Sequence, residues 1–332
     1  MNLQERINLL GRLGKHMLSD DESWQQAKQL AGIRNSWFIP EFVDLAVKNM
    51  ARHFLDPNLL LQWAQTYELP LINSKEKKIG IAMAGNIPLV GFHDFLCVFL
   101  TGHAAAIKPS SKDEVLIRHI VGKLCEWQTG SGSFLLFADM LKGCDAYIAT
   151  GSNISAGYFD YYFSRYPHII RRNRTSVAIL SGKESSEELV RLADDVFQFF
   201  GLGCRNVTKL YVPMDYDFNP MLTTFKKYNY LADHHKYKSN YDYNLAINLL
   251  NKNEFMSTES LLLVENPSFF SPISQLNFEK YEHAENLRAS LSGNEEIQCI
   301  VSESSVEFGK AQSPSLCDYA DGVDTIRFLT NL

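Results

Sequence analysis

The spacing of apolar positions changes character at residue 78. Up to about residue 70 they recur at helical intervals, as in Leu9, Leu10 and Leu13 and again in Phe42, Leu45, Ala46 and Met50. Beyond that point short apolar runs alternate with helical patterns. Strands are expected over 78–83, 104–108, 145–149 and 176–180, and helices over 88–100, 113–127 and 154–163. Pro88 suits a first helical turn. This alternation predicts a parallel sheet with helices on both faces.

A second α/β stretch follows. Ser185 and Glu188 have the spacing of a capping box, and Leu189, Leu192, Ala193, Val196, Phe197 and Phe200 mark one helical face that Gly201 ends. The next strand is expected over 206–212, stopped by Pro213, with helices over 219–227 and 242–252 and strands over 261–264 and 298–301. The tail reads as a loop and then a short helix capped at Asp324. The boundaries drawn are 1–180 for a first domain, joined by the tail 303–332, and 181–302 for a second.

Composition narrows the class. With 332 residues, 45% hydrophobic and 21% charged, the chain has the balance of a globular protein. A net charge of −6 gives no nucleic-acid footprint. No apolar run approaches the roughly 20 residues of a membrane span, and the amphipathic start with Glu5 lacks a signal-peptide core, so a cytoplasmic protein is expected. Cys97, Cys125, Cys144, Cys204, Cys299 and Cys317 are scattered with no C-x-x-C, which favours free thiols over a disulfide framework or metal site.

Cys204 is the residue most suited to chemistry. It lies in Phe200-Gly201-Leu202-Gly203-Cys204-Arg205-Asn206, between a helix and a strand, where flanking glycines let the backbone turn sharply. The bland alternative is a small buried hydrophobe. Three polar clusters follow the first strands: Gly85-Asn86, Lys108-Pro109-Ser110-Ser111 and Thr150-Gly151-Ser152. In a parallel sheet these loops share the carboxyl edge, where open α/β sheets bind ligands. No G-x-G-x-x-G is present. Lys108 suits a ribose hydroxyl or phosphate, and Gly151-Ser152, opening a helix, suits a pyrophosphate.

Other features have plain structural readings. His93, beside Asp94 in an apolar helix, is read as structural, with proton donation the alternative. The stretch 233–238 reads as a solvated loop, although Lys236 and Lys238 suit coenzyme A phosphates; its adjacent His234 and His235 would not share a face to hold a metal. Arg171, Arg172 and Arg174 read as surface charge. Phe197, Phe199 and Phe200 read as core, with an acyl-tunnel wall the alternative.

Four segments, AGNIPLVGFHDFLCVFLTGHAAAIKPSS, DAYIATGSNISAG, VAILSGK and FGLGCRNVTKLYVP, resemble in order and content the aldehyde dehydrogenase superfamily. GNIPLVGFHDF and DYADGVDTIRFL are most similar to its acyl-CoA reductase branch, relatives of the fatty-acid reductase of bacterial luminescence. The resemblance implies an α/β, aldehyde-dehydrogenase-like fold: two Rossmann-like three-layer αβα domains, the first binding cofactor and the second catalytic, with a helical N-terminal segment. It implies Cys204 as nucleophile, Asn86 with the Cys204 backbone N–H as oxyanion hole, Lys108 and Ser111 facing the adenosine ribose, and Gly151 and Ser152 beside the pyrophosphate. It also implies a nicotinamide cofactor, an acyl-CoA or other acyl thioester as substrate, an acyl-activating synthetase as partner, and homo-oligomers.

Two departures refine this expectation. Where hydrolytic members carry a glutamate base, this chain has Ile179, which favours thioester reduction over hydrolysis to an acid. Ser111-Lys112 stands where a ribose-binding glutamate is common, which favours NADPH over NADH. An aldehyde dehydrogenase drawing its base from Glu259 or His93, and an inactive binding or assembly subunit, remain the alternatives.

Overall fold

The computed structural model describes residues 1–128 and 134–332. The chain forms two compact units, Met1–Asn173 with Pro314–Leu332, and Arg174–Ser313.

The first unit opens with four helices, α1 (Leu3–Met17), α2 (Glu22–Arg34), α3 (Pro40–His53) and α4 (Pro57–Thr66). Asn2 and Glu5 form a reciprocal capping box at α1, and Asp56 caps α4 ahead of Pro57. A parallel sheet follows in the order β3-β2-β1-β4-β5, with β1 at Lys78–Ala82, β2 at Ala104–Lys108, β3 at Leu135–Phe137, β4 at Ala146–Thr150 and β5 at His168–Arg171. Period-two alternation splits its faces. Ile79, Ile81, Ile107 and Ile148 pack with α1, α4, α5 (Phe92–Thr101) and α6 (Glu114–Trp127). Ala82, Ala106, Tyr147 and Ala149 pack with Phe163 of α7 (Asn153–Phe163).

The second unit carries a six-stranded sheet in the order β11-β6-β7-β10-β9-β8. Its strands are β6 (Thr175–Ile179), β7 (Val207–Pro213), β8 (Phe255–Ser257), β9 (Leu262–Glu265), β10 (Gln275–Tyr281) and β11 (Ile297–Val301). All pairs are parallel except β8 with β9. The helices are α8 (Ser186–Phe197), α9 (Asn219–Phe225), α10 (His235–Leu250) and α11 (Ala284–Leu291). Both units therefore present Rossmann-like sheets, the first behind a helical N-terminal segment.

Several elements differ from the sequence expectation for physical reasons. The strand foreseen at 176–180 closes no first-domain sheet; as β6 it pairs with β7 and β11. The helix expected from residue 88 begins at Phe92, because Leu89 adopts φ 58° and gives its N–H to Asp113 instead of a helical turn. The stretch 233–238 is no loop: His234 accepts the Tyr237 N–H and caps α10, whose Tyr237 is buried. Arg171 is not surface charge. It is 2% exposed, held by Asp94, the Ala320 carbonyl and Thr325. That cluster, the His93 Nε2–Leu316 carbonyl bond of 3.0 Å and the last helix, α12 (Thr325–Thr330), tie the tail to the first unit. Among the described residues no helix is long and apolar enough to cross a membrane.

Candidate active site

The carboxyl edge of the first sheet collects five of the six proposed site residues. Ala82 of β1 registers with Lys108 of β2 and with Ala149 of β4, so the loops after these parallel strands leave the sheet at one level. Lys108 ends β2, and Ser111 stands in the turn before α6; both are exposed. Asn86 is exposed in the loop after β1. Gly151 follows β4, and Ser152 caps α7, its Oγ accepting the Ser155 N–H at 3.3 Å.

Backbone packing at this edge is close. A Cβ on Gly85 would fall 2.7 Å from the Cβ and Oγ of Ser110, and one on Gly151 would fall 2.8 Å from the Cβ of Ser155. Glycine at both places lets the loop backbone pack directly against the serine side chains beside it. These residues fit a dinucleotide: a cation and hydroxyls after β2, and a helix N-terminus after β4.

Asp113 fixes the Asn86 loop from beneath. Its Oδ2 accepts the Leu89 N–H at 2.6 Å, and its own N–H donates to the Ser110 carbonyl at 3.0 Å, which joins the loops after β1 and β2. The side chain is buried, Oδ1 has no hydrogen-bond partner among the described residues, and burial pushes the carboxyl well above the usual carboxylate range. The protonated acid is the form that this apolar setting favours. Nothing local in the sequence announces it, since Ser-Lys-Asp before a helix looks like an ordinary cap.

Cys204 belongs to the second unit, in a turn between α8 and β7. The helix expected to run through Phe200 stops at Phe197, because Phe199 (φ 53°), Phe200 (φ 58°) and Gly201 (φ 73°) are all left-handed. Two consecutive phenylalanines in that region are costly, on the order of 1–2 kcal/mol each. Packing holds them there. Both rings are buried, with that of Phe200 centred 4.7 Å from His234 and 5.6 Å from Tyr237. The three phenylalanines are therefore packed side chains rather than a row along a helix.

Asn206 organises the rest of the turn. Fully buried, it accepts the Gly203 N–H through Oδ1 at 2.8 Å and donates through Nδ2 to the carbonyls of Asp195 and Gln198 at 3.0 and 2.8 Å. Its backbone N–H donates to the Gly203 carbonyl at 3.0 Å. In a trans peptide C=O and N–H point oppositely within one plane, so this bond directs the Cys204 N–H away from the Asn206 N–H. Cys204 itself is half-buried. Asn206 is the residue that sequence reasoning passed over, although an amide three residues after a glycine is a turn signal.

The other candidates fall elsewhere. His93 Nε2 faces a carbonyl, which makes it the donor and commits that proton to the tail, among the rings of Phe54, Trp63 and Tyr319. Glu259 is exposed in the turn between β8 and β9. Ile179 is packed with Val177, Tyr211, Leu291 and Ile297, so an apolar side chain fills that position.

No protein-family profile matches this sequence, and no curated protein matches it. Solved structures do. Aldehyde dehydrogenase 21 from Physcomitrella patens, in complex with the reaction product succinate, is 12% identical over 92% of this chain and 74% of its own, with a TM-score of 0.66. An aldehyde dehydrogenase of Mycobacterium tuberculosis complexed with NAD+ is 11% identical over 87% and 70%, with a TM-score of 0.65. A mutant aldehyde dehydrogenase C of Pseudomonas syringae, complexed with NAD+ and octanal, is 11% identical over 86% and 69%, with a TM-score of 0.63. At such identities the likeness is one of fold.

Proposed function

We propose that this protein is an NADPH-dependent acyl-thioester reductase that makes an aldehyde through an acyl group carried on Cys204. The observation that carries the reading is the strained, buried-anchored turn that displays Cys204 in an aldehyde dehydrogenase fold. Ile179 supports the reductive direction, because it leaves an apolar side chain where water activation would need a base.

In this reading the Cys204 thiolate attacks the acyl-CoA carbonyl and the coenzyme A thiolate leaves, taking up a proton. The Asn86 amide and the Cys204 N–H hold the oxyanion. Lys108, Ser111, Gly151 and Ser152 would hold the cofactor, which when bound would supply the hydride equivalent gained by the acyl carbon. The resulting hemithioacetal anion on Cys204 then collapses, expelling the Cys204 thiolate as the aldehyde departs, with no further proton taken up. The sum is acyl-CoA, NADPH and a proton giving aldehyde, free coenzyme A and NADP+. The first unit would serve as the cofactor domain and the second as the catalytic one. An acyl-activating synthetase would supply the thioester.

Aldehyde oxidation is the second reading, favoured by the succinate-bound fold neighbour. Product analysis separates the two. The reductase converts acyl-CoA and NADPH to aldehyde with stoichiometric release of thiol, and forms no free acid. Acid formed from aldehyde and NADP+, with none of the reverse chemistry, would support oxidation instead.

A further inference from the structure

Beneath the Cys204 turn lies a buried polar relay that the mechanism above does not use. Ser176, on β6, is fully buried, and its Oγ donates to the Cys204 carbonyl at 3.1 Å. Its backbone N–H donates to the Asn206 carbonyl, also at 3.1 Å. One residue therefore grips the turn at two points. The same Oγ lies 3.1 Å from Cys299 Sγ on β11. Since the hydroxyl proton is committed to a carbonyl, the Cys299 thiol must be the donor in that pair. Burial pushes the Cys299 thiol up, which keeps its proton in place.

Strand geometry converges on the same residue. β7 carries an extra residue opposite the step from Ser176 to Val177, and β11 carries one between Ile297 and Ile300, opposite Thr175–Val177. Bulges re-aim side chains locally. Here two of them flank Ser176 from both sides and bring the β11 thiol alongside it.

We propose that Ser176, supported by Cys299, is a positioning residue for the nucleophile. It fixes the Cys204–Arg205 peptide as Asn206 fixes the Gly203–Cys204 peptide. With both flanking planes held, the thiol and the Cys204 N–H meet the acyl carbonyl in one geometry. The inference rests on the acyl-transfer reading given above and deepens it.

Rapid-quench mass spectrometry of the full chain with a long-chain acyl-CoA, without cofactor, tests it. The rate constant and the amplitude of the Cys204 adduct are read separately, beside the KM for acyl-CoA in turnover. Ser176→Ala should lower the rate constant on the order of tenfold to a hundredfold, the scale expected for a small misplacement of reacting groups, at full amplitude and near-constant KM. Cys299→Ala should lower it by less, and Cys299→Ser, which keeps a donor, should restore it. If Ser176→Ala does not fold, the Cys299 pair decides by the same criterion. A Ser176→Ala protein acylated at the wild-type rate constant, or losses confined to amplitude, would overturn the proposal. Wild-type protein that forms no adduct with any acyl thioester would instead remove the acyl-transfer reading, and this inference with it.

Discussion

At the scale of single residues, this protein keeps its buried polar groups where they organise turns. Asp195 is 1% exposed on α8 and accepts the N–H groups of Gly309 and Ala311 at 2.6 and 3.0 Å. Burial nevertheless pushes its carboxyl up to about 7. The folded chain then binds this proton more tightly than the unfolded chain does, so the contribution is full at low pH and is lost as pH rises toward about 7. Urea midpoints should accordingly fall between about pH 4 and 7 from this group and level off above. Asp195→Asn should flatten that slope while losing about 1 kcal/mol for the bond an amide cannot accept. An unchanged slope in the variant would assign the pH dependence elsewhere. A second residue prediction concerns Lys112, whose backbone is tied to Ser110 and Asn35 while its side chain is exposed. Lys112→Glu should shift the ratio of kcat/KM toward NADH without loss of thermal stability, since only charge beside the proposed ribose site changes.

Elements show what sequence could and could not disclose. The strands β1, β2, β4 and β7 and the capped α8 were legible because period, caps and length agree within each segment. β10 was not, because its period-two run holds only two apolar positions, Leu276 and Phe278; the polar Asn277 between them is buried, its amide donating to the carbonyls of Ser268 and Phe270 in a neighbouring loop. So short an alternation is a weak strand signal. Arg171 was misread as well. Its neighbours Arg172 and Arg174 make a basic cluster, while the partners that bury it lie 77, 149 and 154 positions away. In the candidate site, Cys204 and the strand-end loops could be read locally, whereas Asp113, Asn206 and Ser176 matter only through contacts made after folding. The Arg171–Asp94 pair carries an element-scale prediction. Arg171→Ala strands a buried carboxylate and should cost about 3–5 kcal/mol, the range for breaking a buried pair. Hydrogen exchange should show protection lost first in Pro314–Leu332, because Ala320 and Thr325 share that guanidinium. Uniform loss across the first unit would show that the pair does not hold the tail in particular.

For the whole molecule, two units, one on a parallel sheet and one on a sheet parallel but for β8, divide the proposed labour. The first offers closely packed loops and a helix N-terminus suited to a dinucleotide, and the second offers one thiol on a turn held in an uncommon backbone conformation. Keeping that turn left-handed at two phenylalanines costs stability, and the proposed nucleophile role would give that fixed turn a use. The central claim is therefore that Cys204 carries the acyl group and gives it up as aldehyde. Intact mass spectrometry of a single turnover tests this most directly. Protein mixed with a long-chain acyl-CoA should gain one acyl mass, absent in Cys204→Ala, and NADPH should clear it with one equivalent of aldehyde. An adduct that survives Cys204→Ala, or one that leaves as free acid whether or not NADPH is present, would contradict the account.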